Sequence, residues 1–141
     1  MEATPGAGPG RRHPGGTIPG MPIDKISLTD KLATFTEQWA PKIIGRLNDY
    51  ELKIVKVQGE FVWHQHDDTD EVFLVLGGEL TIDLPDGAVV LGPLETVTIP
   101  RGVRHRPRAE TETSMLLIEP AGVVNTGEAG GEMTAVPESL L

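Results

Sequence analysis

The sequence predicts an all-β domain of the jelly-roll type, in which short strands build a barrel. Glycine, proline and asparagine turn signals recur at short, regular intervals after residue 41, and the runs between them are rich in apolar and β-branched residues. Helical periodicity is almost absent from this part of the chain. About nine candidate strands follow from these boundaries: 43–47, 50–58, 61–66, 71–76, 79–84, 88–91, 96–99, 103–108 and 114–119.

The two ends of the chain differ in composition from the predicted barrel at residues 23–122. Glycine and proline make up eleven of residues 1–22, and such a segment cannot bury enough apolar surface to offset its ordering entropy. We therefore expect a disordered tail there, and His13 within it is not a candidate ligand. Residues 123–141 form a second tail, in which a weak amphipathic pattern suggests a short docking helix or a loose end.

A short helix is expected between the N-terminal tail and the first strand. Leu28, Leu32 and Phe35 have the i, i+4, i+7 spacing that places apolar side chains on one face of a helix. Thr29 or Asp30 is the candidate N-cap, and Pro41 ends any helix before it. Trp39 is interpreted as a core or interface aromatic residue.

Composition and charge exclude several classes of function. The chain has 141 residues, with 12 basic and 21 acidic side chains and a net charge of −9, so a basic footprint for nucleic acid or an anionic membrane surface is missing. Cysteine is absent, which rules out disulfide and thiolate chemistry. No apolar run approaches the roughly 18–20 residues of a membrane span. We expect a cytoplasmic protein whose partner is a small molecule.

Three of the four histidines fall in two short segments, and their spacing suggests a metal site. His64 and His66 are two residues apart, so on a strand both side chains project to one face. Glu71 opens the next apolar run, and antiparallel pairing can bring it alongside the histidines; Asp70 is the alternative carboxylate. Imidazole and carboxylate ligands suit one divalent transition metal, such as Fe, Mn, Ni, Zn or Cu, without selecting one.

Two segments then resemble the paired motifs of the cupin superfamily. Gly59-x4-His64-x-His66-x4-Glu71-x6-Gly78 resembles the first motif, with a gap before the first histidine that is one residue shorter than usual. Gly92-x7-Pro100-x-Gly102-x2-His105 resembles the second, with a longer gap before the proline and with Ala109 where asparagine is common. The resemblance implies one metal at the centre of a jelly-roll barrel, held by His64, His66, Glu71 and His105.

Two kinds of function follow from this resemblance. The first is a metal-dependent enzyme acting on a small organic molecule by oxygenation, or by isomerisation or elimination, with Glu71 as a candidate catalytic group that moves protons. The second is a cupin that binds or senses a ligand without turnover. Phe73 on the Glu71 face and Arg101 in the turn before His105 are candidate substrate-binding residues, Arg101 as an anion clamp.

A homodimer is also expected from the aromatic residues of the first motif. Phe61 and Trp63 alternate with the histidines and are predicted to face away from the metal. An outward aromatic pair needs cover, which a symmetric partner subunit would supply.

Overall fold

The structure, a computed structural model, describes residues 23–141. The tail predicted for residues 1–22, together with His13, lies outside the described residues. The described part contains one short helix and eight strands: α1 Leu28–Leu32, β1 Lys42–Leu47, β2 Tyr50–Glu60, β3 Glu71–Gly77, β4 Leu80–Leu84, β5 Gly87–Leu91, β6 Thr96–Ile99, β7 Arg106–Pro120 and β8 Glu138–Ser139. Within residues 23–141, no helix is long and apolar enough to cross a membrane.

The long strand β7 organises the sheet. One edge of β7 pairs antiparallel with β2 from Tyr50↔Pro120 to Glu60↔Arg108. The other edge is shared, because its first residues pair with β4 and its later residues with β3, which in turn pairs with β6. β1 lies between β2 and β8. The hydrogen-bonded path of strands does not close into a ring. The predicted all-β jelly-roll architecture with a short N-terminal helix is confirmed.

Strand alternation divides the apolar residues into two clusters on opposite faces of the sheet. On β2, Val55 belongs to the inner cluster with Phe73, Ile82 and Met115. The neighbouring residues of β2 and β7 point the other way and form the outer cluster: Ile54 and Leu116, with Ile44 and Phe35. Leu28 and Leu32 of α1 pack on that outer cluster. The helix therefore covers the outer face, and the inner face is left for the site.

The largest departures from the predicted strands lie in two segments. Residues 109–113, predicted to be a polar loop, continue β7 as a single strand; the β2–β7 register shifts between Val57 and Gly59, where Gly59 has a φ of 83°. Residues 61–66, predicted to be a strand, form only the isolated bridge between His64 and His105. The side chains of this segment therefore do not follow strict alternation.

The C-terminal segment folds back over the sheet. β8 pairs in parallel with β1, and the Leu140 amide donates to the Ile43 carbonyl at 2.9 Å. The side chain of Asn125 donates to the Met133 carbonyl at 2.9 Å and accepts from the Ala135 amide at 3.0 Å. Turns and this two-residue strand occupy the segment in which the sequence suggested a short docking helix.

Candidate metal centre

His64 and His105 face each other across the bridge that joins the two motif segments. The His64 amide donates to the His105 carbonyl at 3.0 Å, and the His105 amide donates to the His64 carbonyl at 2.8 Å. Residues that exchange both backbone hydrogen bonds project their side chains to the same side of an antiparallel pair. The two imidazole rings consequently lie with their centroids 4.3 Å apart.

The remaining two ligand candidates complete the cluster. Glu71 is the first residue of β3, where pairing with Ile99 fixes its position, and His66 lies five residues before it. His64, His66, Glu71 and His105 are all buried, and one nitrogen or oxygen atom from each lies within 4.8 Å of the others. The structure thus brings together the four residues that the sequence proposed, and they could hold a metal ion.

Backbone carbonyls orient two of the rings. Nδ1 of His64 donates to the Val62 carbonyl at 2.9 Å, and Nδ1 of His105 donates to the Val103 carbonyl at 2.9 Å. A carbonyl only accepts, so each ring carries its proton on Nδ1 and presents an unprotonated Nε2 to the cluster. Such hydrogen bonds are how metal-ligating histidines are usually held.

Three polar atoms of the cluster are buried and have no hydrogen-bond partner outside the cluster among the described residues. They are Nε2 of His66, Oε2 of Glu71 and Nε2 of His105. His66 Nε2 and Glu71 Oε2 are 2.7 Å apart, in close contact. Nε2 of His105 has no partner of any kind within the described residues, and a divalent cation at the centre of the cluster would satisfy all three atoms together.

Burial and neighbouring charge set the protonation of the histidines. Burial lowers the pKa of His64 from 6.5 to about 4 and also lowers the pKa of His105, so both rings are neutral and able to ligate at neutral pH. Burial lowers the pKa of His66 as well, but the contact with the Glu71 carboxylate outweighs it and the net shift is upward. A metal ion therefore competes with a proton at His66.

A cavity of about 40 Å³ opens beside the cluster, with His64 and Glu71 in its wall. At roughly 10–15 Å³ per water, this volume holds about three water molecules. The wall is mainly apolar and aromatic: Trp39, Val55, Phe61, Phe73, Met115 and Leu117. The Trp39 and Phe61 rings are stacked with centroids 4.8 Å apart, and Phe61 meets His64 edge-on. Trp39, interpreted from sequence as a core or interface residue, lines the cavity.

Of the two predicted substrate-binding residues, one lines the cavity and the other lies on the surface. Phe73 is buried, lines the cavity and approaches the His105 ring edge-on at 6.1 Å. The Arg101 side chain is 64% exposed and pairs with Asp70, whose Oδ1 accepts from the Arg101 amide at 2.9 Å. Neither Arg101 nor Asp70 belongs to the cavity wall. Asp70 therefore does not replace Glu71 in the cluster.

The prediction that Phe61 faces away from the metal is wrong. Phe61 is buried in the cavity wall, because the segment 61–66 is not a regular strand and its side chains do not alternate strictly. Trp63 does lie outside, where the guanidinium groups of Arg104 and Arg106 each stand 5.4 Å from its ring centre. The outer aromatic residue thus has cover within its own chain, and the homodimer stays a prediction.

A buried ion pair in the barrel interior, Lys53 with Glu119, was not identified from sequence, nor was Glu51, which is buried beside Lys53. Lys53 is 1% exposed and Glu119 is 2% exposed, and Lys53 Nζ donates to Glu119 Oε1 at 2.9 Å. Both have the same strand parity as inward apolar residues, Lys53 with Val55 and Glu119 with Leu117. This strand parity is the sequence feature from which their burial could have been predicted. Burial raises the pKa of Glu119, the charge of Glu71 raises it further, and Lys53 opposes both.

Comparison with known proteins agrees with this fold. A model of the family described as "Cupin domain" matches residues 52–119. An uncharacterized Bacillus subtilis protein, YdbB, is 39% identical over 84 residues, which are 59% of this chain and 74% of that protein.

Two solved structures are similar over most of the described chain. A cupin-2 domain containing protein from Shewanella frigidimarina is 47% identical with a TM-score of 0.67, covering 67% of this chain and 93% of that one. A Neisseria meningitidis protein is 34% identical with a TM-score of 0.64, covering 70% of this chain and 100% of that one. With the paired motifs, the jelly-roll sheet and the convergent histidines, these similarities show that the chain belongs to the cupin family.

Proposed function

We propose that this cupin is a metal-dependent enzyme that acts on a small organic molecule bound in the cavity beside His64 and Glu71. The observation that carries the proposal is the convergence of three buried ligand atoms, which have no partner outside the cluster within the described residues, next to an apolar cavity. Three imidazoles and one carboxylate leave one or two positions of a five- or six-coordinate metal for a substrate oxygen.

The residues at this site have different roles. His64 and His105 are held neutral, with Nε2 toward the centre, by the carbonyls of Val62 and Val103. Glu71 is the ligand that can also hold a proton, at Oε2, which lies 2.7 Å from Nε2 of His66. The apolar wall, which includes Phe73, limits water around the reacting atoms and strengthens electrostatic interactions there.

A divalent transition metal held by these residues would supply a Lewis acid that polarises a substrate oxygen and, if it is Fe(II), a centre for reaction with O₂. Two reaction types follow, oxygenation on the one hand and isomerisation or elimination on the other. In both reaction types, Glu71 would take a proton from the substrate or return one to it. The non-catalytic alternative, ligand binding without turnover, uses the same cavity and predicts no product.

The experiment is a turnover screen of metal-free protein reloaded with Fe(II), Mn(II), Ni(II) or Zn(II). Catechols, diketones and phosphosugars are followed with and without O₂ by oxygen uptake and by NMR. We expect product with one metal, none in His105→Gln, and unchanged rates in Asp68→Asn, which removes an exposed carboxylate from the loop before Glu71. Product formed equally by His105→Gln contradicts the proposal, and metal binding without any product favours the non-catalytic alternative.

A further inference from the structure

The buried pair Lys53–Glu119 lies in the same inward rows of side chains as the metal ligands. On β7, Met115, Leu117 and Glu119 all line the cavity. The β3–β7 register pairs Phe73 with Leu117 and Val72 with Ile118, so the next step of that register places Glu71 opposite Glu119. The carboxylate of Glu119 thus lies next to the ligand cluster along the cavity wall, which also includes Asn125.

Lys53 holds Glu119 in place by one of its two oxygens. Lys53 Nζ donates to Glu119 Oε1 at 2.9 Å and lies 3.8 Å from Glu51, so its charge is matched inside the barrel. This contact is the one hydrogen bond that the Glu119 carboxylate makes within residues 23–141. Oε2 consequently remains free to accept a hydrogen bond from a molecule in the cavity.

The cavity wall carries carboxylates and no cationic side chain. Of its wall residues, Glu71 and Glu119 carry negative charge, and no lysine or arginine is among those that the structure describes. Behind the wall, Lys53 contacts both Glu119 and Glu51, and Glu51 is also 3.7 Å from Arg46. Arg101 pairs with Asp70 outside the cavity. A carboxylate or phosphate ligand would therefore meet the Glu119 acceptor and no cationic side chain in the wall.

We propose that Glu119, positioned by Lys53, determines specificity by accepting a hydrogen bond from a hydroxyl group of a neutral substrate. The substrate class is an uncharged hydroxyl-bearing molecule, such as a hydroxyketone or a polyol, with a neighbouring oxygen directed at His64, His66, Glu71 and His105. Carboxylates and phosphate esters are selected against. The inference rests on the proposed function, because it places the substrate oxygen at the metal cluster.

The test compares two probes of similar size, neutral hydroxyacetone and anionic pyruvate, by calorimetric titration into Zn(II)-loaded protein. We expect wild type to bind hydroxyacetone at least about tenfold more tightly than pyruvate, since a hydrogen bond to a charged group is worth about that factor or more. Glu119→Gln should remove most of this preference. Glu110→Gln, an exposed carboxylate on the same strand, should keep it.

A second variant controls for loss of binding through misfolding, because Glu119→Gln leaves Lys53 without its nearest partner. Lys53→Met/Glu119→Gln removes both charges and should show the same loss of preference. An unchanged preference in both variants, tighter binding of pyruvate by wild type, or binding of neither probe to the Zn(II)-loaded protein overturns the inference. Failure of wild type to take up Zn(II) would instead overturn the proposed function, so the two failures are distinguishable.

Discussion

Replacing Gly127 with alanine tests how the C-terminal segment supports the metal ligands. Gly127 has a φ of 55°, and a Cβ at this position would overlap the carbonyl oxygen of Gln65 and stand 3.4 Å from Cδ2 of His64. Gln65 lies between His64 and His66 in the chain. A side chain on Gly127 therefore pushes directly on the backbone that carries two of the four ligand candidates.

The expected cost has two parts. A left-handed conformation costs about 1–2 kcal/mol for a residue with a Cβ. Separation of the two backbones also breaks the hydrogen bond from the Glu128 amide to the Gln65 carbonyl, 3.3 Å long, which is worth about 1 kcal/mol. We expect Gly127→Ala to lower the free energy of unfolding by about 2–3 kcal/mol. Metal affinity should fall as well, because His64 and His66 move with Gln65.

Gly130→Ala is the matched control. Gly130 has a φ of 60° but no atom within 4 Å of the added Cβ, so this variant carries the backbone strain without the contact. Urea unfolding and metal titration are carried out on both variants, and the difference between them gives the effect of the contact with Gln65. Equal losses of stability in the two variants, with unchanged metal affinity in Gly127→Ala, would refute the role assigned to the segment.

Three further predictions concern charged and titratable groups. Because burial lowers the pKa of His64 from 6.5 to about 4, the unfolded chain binds a proton in this window that the folded chain does not. The free energy of unfolding of metal-free protein should fall by up to about 3 kcal/mol from pH 6.5 to pH 4, and His64→Gln should flatten that slope in urea titrations. Lys53→Met leaves buried Glu119 without its partner and should cost about 3–5 kcal/mol in thermal unfolding. Lys53→Met/Glu119→Gln should recover most of this cost, because Glu51 keeps Arg46 at 3.7 Å; a double variant as unstable as the single one would contradict this. Arg101→Ala should leave metal content and the urea midpoint unchanged, since its pair with Asp70 is exposed, and loss of metal would show that the site extends to the surface.

The features that the sequence predicted well are local in the chain. The parity of His64 and His66, and the apolar run that starts at Glu71, depend on residues within a few positions of one another. The turn before His105 is likewise encoded by neighbouring residues. The structure brings these four residues to one point because the bridge between His64 and His105 joins the segments.

The features that the sequence did not reveal depend on distant pairing. Lys53 and Glu119 are 66 residues apart, and only the β2–β7 register brings them together. Phe61 turns inward because the chain after the Gly59 bulge is irregular, which breaks the parity argument. The packing of Gly127 on Gln65 follows from the path of the C-terminal segment, which composition alone does not encode.

Equilibrium titration of metal-free protein with Mn(II), Fe(II), Ni(II) and Zn(II), with bound metal measured by mass spectrometry, tests the central claim most directly. We expect one tightly bound ion per chain in wild type and in Asp68→Asn. His64→Gln and His105→Gln should each lose it while retaining the wild-type circular dichroism spectrum. Absence of a tight site in wild type, or full occupancy in both histidine variants, would contradict the assignment of His64, His66, Glu71 and His105 as a metal centre.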